Sequence, residues 1–393
     1  MKRILVIVLA VILTLSLSFS SVAFAAGGKT EVALAQEAGQ AWLDSTVALT
    51  GEPMEWLGAI LTTPQVCCDL KGEPNAYTFA MENNGKVVGY VIVGSAAYGY
   101  PMFEAADVPP PSTPGADEAK SVLERDLGLE VERVGDPVRF LYLGFDNLFA
   151  VYQARGEEVA LNLFFDFAIR ASDLKTAMPS PEGYKAAREA TENGKPQTLQ
   201  SAGFKYLPME FYRDDASERV WCGPCSGVSI GRYYRDGKEY VDLPSPDYLM
   251  YDALVVGWGG VEYPIWPWNY GYGFWHMTYY HGGYGNFNYI TWGWTADRYW
   301  DRVNDIDSDW PIAVYAWRFN YPPEYEPDPG DPHWVAMRGY LWVHYEGISH
   351  IICCTDSLRK TNYLWLDWNN LFTTWGAWWN PYRGVWTVTI KDS

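Results

Sequence analysis

The chain has 393 residues, 48% apolar and 20% charged, which is enough apolar mass for a packed core and excludes a disordered or low-complexity chain. Acidic residues outnumber basic ones 48 to 29, and the formal charge of −19 argues against phosphate backbones or anionic membrane surfaces as partners. Aromatic residues make up 17%, with 20 Trp and 29 Tyr; only Trp42 and Trp56 precede residue 201, and the other 18 Trp follow it. Charge divides differently, with 25 acids and 13 bases in 27–200 and 23 and 14 in 201–393. Charge is shared and Trp is not, which points to two domains of different construction.

Lys2 and Arg3, the apolar run Ile4 to Leu17 and the small-x-small site Ala23-Phe24-Ala25 make residues 1–25 a secretory signal peptide. No second apolar stretch of about 20 residues follows, so the mature chain is expected to be exported and soluble. Export permits disulfides. The six cysteines fall as Cys67-Cys68, Cys222 with Cys225, and Cys353-Cys354, too few for a disulfide scaffold in so long a chain. Each adjacent pair reads as two small buried apolar residues, with pairing between the two distant pairs left open.

Residues 26–170 read as a small α+β domain. Glu31 to Val47 has helical spacing, and Asn75 to Met81 and Val87 to Val93 form a hairpin around Asn84-Gly85. Asp117 to Leu127 is a second helix stopped by Gly128. Val138 to Leu143, Phe149 to Gln153 and Val159 to Phe165 are further strands. The half has no His, no Gly-rich phosphate loop and no metal-ligand spacing, so no reaction is assigned to it. Residues 171–204 are polar and turn-rich and are expected to form an exposed linker, with a short helix at Glu182 to Ala190.

The chemistry falls in residues 205–393. Trp221-Cys222-Gly223-Pro224-Cys225 opens a segment whose Pro224 suits a first helical turn and whose Gly227 and Gly231 allow close approach on one face. Cys222 therefore stands at a helix amino terminus, where partial positive charge favours a thiolate. Thiol–disulfide exchange is one use of that arrangement, since the five residues match the thioredoxin string. The charged, irregular lead-in Tyr212 to Val220 is unlike that family's hydrophobic strand. Covalent catalysis is the other use; it needs a His to exchange the thiol proton and a third group to orient that His. The five His are His276, His281, His333, His344 and His350, of which His276 and His281 lie in an aromatic stretch suited to packing or substrate contact.

Cys222-Gly223-Pro224 with a helix ending in Tyr233-Tyr234, and His333 followed by Gly339-Tyr340, resemble the papain-like cysteine peptidases. The nearest likeness is to the bacterial branch of streptopain- and staphopain-like enzymes and double-glycine leader peptidases. The resemblance implies Cys222 as nucleophile and His333 as base, 111 residues apart. In that family an Asn or Asp ends the strand after the His strand, which implies Asp356 as the orienting residue. A competing frame takes His350 as base with Asp367 or Asn369. The implied architecture is an α+β papain-like fold in 205–393, with a helix-rich half carrying the nucleophile and an antiparallel β half carrying the His. The 26–170 domain would precede it as a prosegment that inhibits the enzyme until cut away. Peptide or protein would be the substrate, with no cofactor and no metal. The family places a Gln before the nucleophile to bind the oxyanion; 201–393 has none, and Ala216 and Ser217 occupy the slots. Tyr212 and Trp221 are the nearest substitute donors. The readings left open are a secreted bacterial peptidase, an exported oxidoreductase, and a weak or inactive papain-like protein that binds at the cell surface.

Overall fold

The computed structural model describes residues 29–130, 134–165, 167–174, 176, 178–195, 202–212, 222–237, 247–257, 270, 272–274, 276, 287–293, 298–316, 333–343, 350–357, 359–371 and 385–392. The signal peptide, the lead-in 213–220 with Ala216 and Ser217, Trp221, His281 and His344 lie outside them. The architecture is α+β, built on one large mixed sheet.

The amino-terminal half begins with helix α1 (Glu31–Thr50). Thr30 caps it by accepting from the Ala33 amide, and Gly51 ends it in the left-handed region. Strands β1 (Ile60–Leu61), β2 (Gln65–Cys68), β3 (Pro74–Asn83), β4 (Lys86–Gly94) and β5 (Met102–Ala106) follow. Asn84 and Gly85, both with positive φ, close the β3–β4 hairpin as the sequence predicts. Helix α2 (Ala116–Leu127), stopped by left-handed Gly128, leads to β6 (Arg139–Tyr142), β7 (Leu148–Ala154), β8 (Glu157–Asn162) and β9 (Phe167–Arg170).

The stretch expected to be a linker with a short helix at Glu182 to Ala190 holds helix α3 (Pro181–Asn193) there, and also strand β10 (Ala202–Tyr206), which pairs with β13. Its polar residues are bonding partners inside the molecule. The Tyr184 hydroxyl donates to Asp367 at 2.5 Å, and Trp300 Nε1 donates to the Thr191 carbonyl at 2.7 Å. Composition alone does not separate such a helix from a solvated connection.

The carboxyl-terminal half holds helices α4 (Cys222–Arg232), α5 (Asp247–Gly257) and α6 (Tyr299–Asp307). Its strands are β11 (Phe287–Gly293), β12 (Ile312–Ala316), β13 (His333–Val343), β14 (Ile351–Asp356), β15 (Thr361–Asp367) and β16 (Val385–Asp392). As expected, Gly227 and Gly231 mark a close approach: a Cβ at Gly231 would collide with the Met250 sulfur, and one at Gly227 with Leu254. None of the described helices is long and apolar enough to cross a membrane.

The strand order is β11-β16-β12-β13-β14-β15-β5-β4-β3-β2-β6-β7-β8-β9, with β1 on β3 and β10 on β13. The two halves therefore share one sheet, joined where Leu364, Trp365 and Leu366 of β15 pair with Ala106, Ala105 and Glu104 of β5. Side-chain alternation splits the core across the two faces. On one face, Trp42 and Leu43 of α1 pack with Val91, Ala105, Leu341, Ile351, Cys353 and Trp365. On the other, Val228 and Ile230 of α4 pack with Tyr90, Ile92, Ile352, Cys354 and Leu366. Both cores draw on both halves. Cys353 and Cys354 fall on opposite faces as small buried residues, and all six cysteines are free thiols. Among the Trp side chains described after residue 201, Trp300, Trp334, Trp342, Trp365 and Trp368 are buried and Trp310 is half-buried.

Candidate active site

Cys222 is the first residue of α4, half-buried, while Cys225 one turn on is buried in the core. A helix amino terminus presents free amides and the positive end of the helix dipole, an environment that suits negative charge. The first turn is braced inside by Ser226, whose hydroxyl donates to the Gly223 carbonyl at 2.7 Å and lies 2.8 Å from the Tyr270 hydroxyl. Tyr270 stacks on Trp334, next to His333 on β13, with ring centroids 4.3 Å apart. Helix α4 and strand β13 are thus fastened through Tyr270, at positions four residues after Cys222 and one after His333.

His333 starts β13 and Asp356 ends β14, the neighbouring antiparallel strand in which Thr355 pairs with Ala336. Continuing that register makes Asp356 a diagonal neighbour of His333 on one face. The imidazole Nε2 lies 2.9 Å from Asp356 Oδ1, and both side chains are buried. Burial disfavours the imidazolium, but the charges of Asp356 and Asp146 outweigh it. Together with bonds from Asp356 and the Cys222 thiol, they raise His333 from 6.5 to about 10. Burial likewise disfavours the Asp356 carboxylate, yet His333 and Arg359 hold it well below the usual carboxylate range. An ionised carboxylate only accepts, so Nε2 carries a proton. The thiol of Cys222 is coupled to the same ring. Nδ1, the other ring nitrogen, is buried. The structure thus brings together all three residues singled out by the resemblance.

The competing frame is a separate cluster. His350 Nε2 faces Glu192 Oε1 of α3 at 3.5 Å, and its ring packs edge-on against Tyr299 and Trp300. Asp367 accepts from Tyr184, and Asn369 from the Thr191 hydroxyl at 2.9 Å. These residues bind α3 to the start of β14, the end of β15 and the turn that follows it. Of the oxyanion candidates, Tyr212 packs against the core beside α4, and its amide donates to Ser229 Oγ at 3.0 Å. His276 has its ring 6.2 Å from that of Tyr272, in keeping with aromatic packing. Among the described residues no group of His, Cys, Asp and Glu is arranged to hold a metal.

Three charged residues at the site escaped the sequence reading. Arg359, in the β14–β15 turn with its side chain 5% exposed, donates from Nη1 to Asp356 Oδ2 at 2.7 Å. Its Nη2 lies 3.0 Å from Glu104 Oε1 of β5 and 2.6 Å from Asp146 Oδ1 of the β6–β7 turn. The guanidinium also lies over the rings of Phe164 and Phe145, 4.3 and 5.0 Å from their centroids. Burial raises Glu104, and Arg359 and the Tyr90 hydroxyl only partly offset it, because two other carboxylates share the same cation. A usable signal existed for Glu104, the lone acid in the otherwise apolar run Met102–Ala106, since carboxylates are almost never buried unpaired.

No family model matches the sequence, and no curated protein matches it at a significant level.

Proposed function

We propose that the chain is a papain-like cysteine peptidase that hydrolyses peptide bonds through an acyl-enzyme on Cys222. The observation that carries this reading is the buried contact of His333 Nε2 with Asp356 Oδ1 at 2.9 Å, on a ring that the Cys222 thiol at a helix amino terminus also influences.

The roles follow from the geometry. Asp356 holds Nε2–H, which leaves Nδ1 as the nitrogen that exchanges the Cys222 proton. With its pKa raised, His333 takes the thiol proton and stands as imidazolium beside a thiolate. The thiolate attacks the scissile carbonyl carbon, forming a C–S bond while the carbonyl oxygen takes negative charge. The Cys222 amide at the helix end is the donor assigned to that oxygen in this reading. His333 then protonates the leaving amine as the C–N bond breaks, leaving a thioester. Water attacks the thioester with its proton going to His333, the acid is released, and the thiolate–imidazolium pair is restored. The signal sequence sends this activity outside a bacterial cell.

The oxidoreductase reading requires Cys225 to attack a mixed disulfide on Cys222. Burial of Cys225 among core side chains disfavours that step. The test is hydrolysis of a denatured protein substrate. Wild type is expected to release new amino termini, with at least about 10³-fold less from Cys222→Ala. Equal release from both proteins would overturn the reading.

A further inference from the structure

We propose that the amino-terminal half is a permanent part of the enzyme, one that holds the catalytic carboxylate in place through Arg359, and not a prosegment that departs. The inference rests on the Cys222–His333–Asp356 reading and extends it to residues 190 positions or more before the catalytic acid.

Three observations carry it. First, the β5–β15 pairing lies in the interior of the strand order, so removing residues 29–195 would cut a continuous sheet through its middle. Second, both core clusters are shared. Departure would uncover Trp365, Ile351 and Cys353 on one face and Leu366 and Ile352 on the other, an apolar area that a free domain does not leave in water. Third, Arg359 is bound by three carboxylates, and two of them, Glu104 and Asp146, come from the amino-terminal half. Without those two, Asp356 is the only carboxylate left to the cation, which weakens the anchoring of both.

The groups facing His333 come from both halves. Asp356 stands on β14, Cys222 on α4 and Asp146 on the β6–β7 turn. Phe145 and Phe165 of the amino-terminal half lie against its ring at 6.2 and 6.0 Å and keep water from it. Arg359 and Asp146 are therefore positioning residues. Arg359 orients Asp356, and Asp146 holds Arg359 while adding negative charge beside the imidazolium.

The test uses the full chain and measures alkylation of Cys222 by iodoacetate against pH. This anion reacts fastest while an imidazolium stands beside the thiolate, so the alkaline limb reports loss of the His333 proton. Asp146→Asn keeps the size of the side chain and removes its charge; it is expected to move that limb to lower pH by about one unit. Arg359→Met is expected to slow labelling about tenfold or more, and the Asp146→Asn arm stands if that variant fails to fold. Labelled wild-type protein is then separated by native size-exclusion chromatography. The Cys222-labelled species is expected to contain residues 29–195, whether or not the chain has been nicked. His333-dependent labelling with an unmoved Asp146→Asn profile, or a labelled species that has shed the amino-terminal half, would overturn this inference alone. Labelling indifferent to His333 would overturn the peptidase reading and this inference with it.

Discussion

Nε2 of His333 meets Oδ1 of Asp356 at 2.9 Å, with both side chains out of solvent at the facing ends of two paired strands. The pair links stability to pH in a way that can be measured. His333 is raised from 6.5 to about 10, so its contribution is complete below about pH 6.5 and is lost as pH rises through about 10. Asp356 is depressed, so its contribution is present above the ordinary carboxylate pKa and is lost as pH falls through its own lower value. The stability difference between wild type and His333→Gln, from urea denaturation, is expected to shrink steadily between pH 6.5 and 10. A difference constant over that range would contradict the ion pair.

Removing one partner of a buried pair leaves the other charge uncompensated. Asp356→Ala strands His333 and takes one of three carboxylates from Arg359, and the expected cost is about 3–5 kcal/mol in the urea-unfolding free energy. A loss under ~1 kcal/mol would mean that the cluster is open to water.

The shared sheet predicts how the chain unfolds. Trp365 lies in the core beneath α1, its ring 6.3 Å from Trp42 and 5.6 Å from Tyr206. Calorimetry is expected to show both halves melting in one transition. Trp365→Ala should lower that whole transition, at a cost of about 3–5 kcal/mol. Two transitions, with only one moved by the substitution, would show that the halves fold independently.

Gly231 and Met250 define the approach of α5 to α4. Gly231→Ala is expected to destabilise by about 1–3 kcal/mol through overpacking. A double-mutant cycle with Met250→Ala should show coupling of at least ~0.5 kcal/mol. Additive effects would place the strain elsewhere.

Cys225 separates hydrolysis from thiol–disulfide exchange. Cys225→Ser is expected to keep most of the proteolysis, and wild type is expected to show no reduction of insulin beyond that of free thiol. Insulin reduction that disappears in Cys225→Ser would favour the exchange reaction.

The sequence made local structure legible wherever a short-range rule applied. The Asn84-Gly85 turn, the Gly128 stop and the Gly227/Gly231 contact each depend on residues within a few positions of each other. Cys222 and His333 were singled out by short motifs and Asp356 by its place at the end of the strand after His333, where the structure sets it 2.9 Å from that ring. The join between the halves was not, because strands β5 and β15 carry no mark of their partner and apolar alternation fits any buried neighbour. Arg359 and Asp146 were missed for a related reason. An Arg in a turn and a carboxylate in a turn look like solvated surface until the chain brings them within 3.0 Å. The helix Pro181–Asn193 was placed in a linker because its buried contacts, Tyr184 and Thr191, are outnumbered by exposed polar residues.

The central claim is that Cys222 is a nucleophile activated by His333. Its most direct test is mass-mapped alkylation of the native protein at near-neutral pH with limiting iodoacetamide. The account predicts that Cys222 is labelled far ahead of the other five cysteines and that this preference falls at least about tenfold in His333→Ala, with His350→Ala unaffected. Equal labelling of Cys222 in wild type and His333→Ala, or loss of labelling in His350→Ala alone, would contradict it.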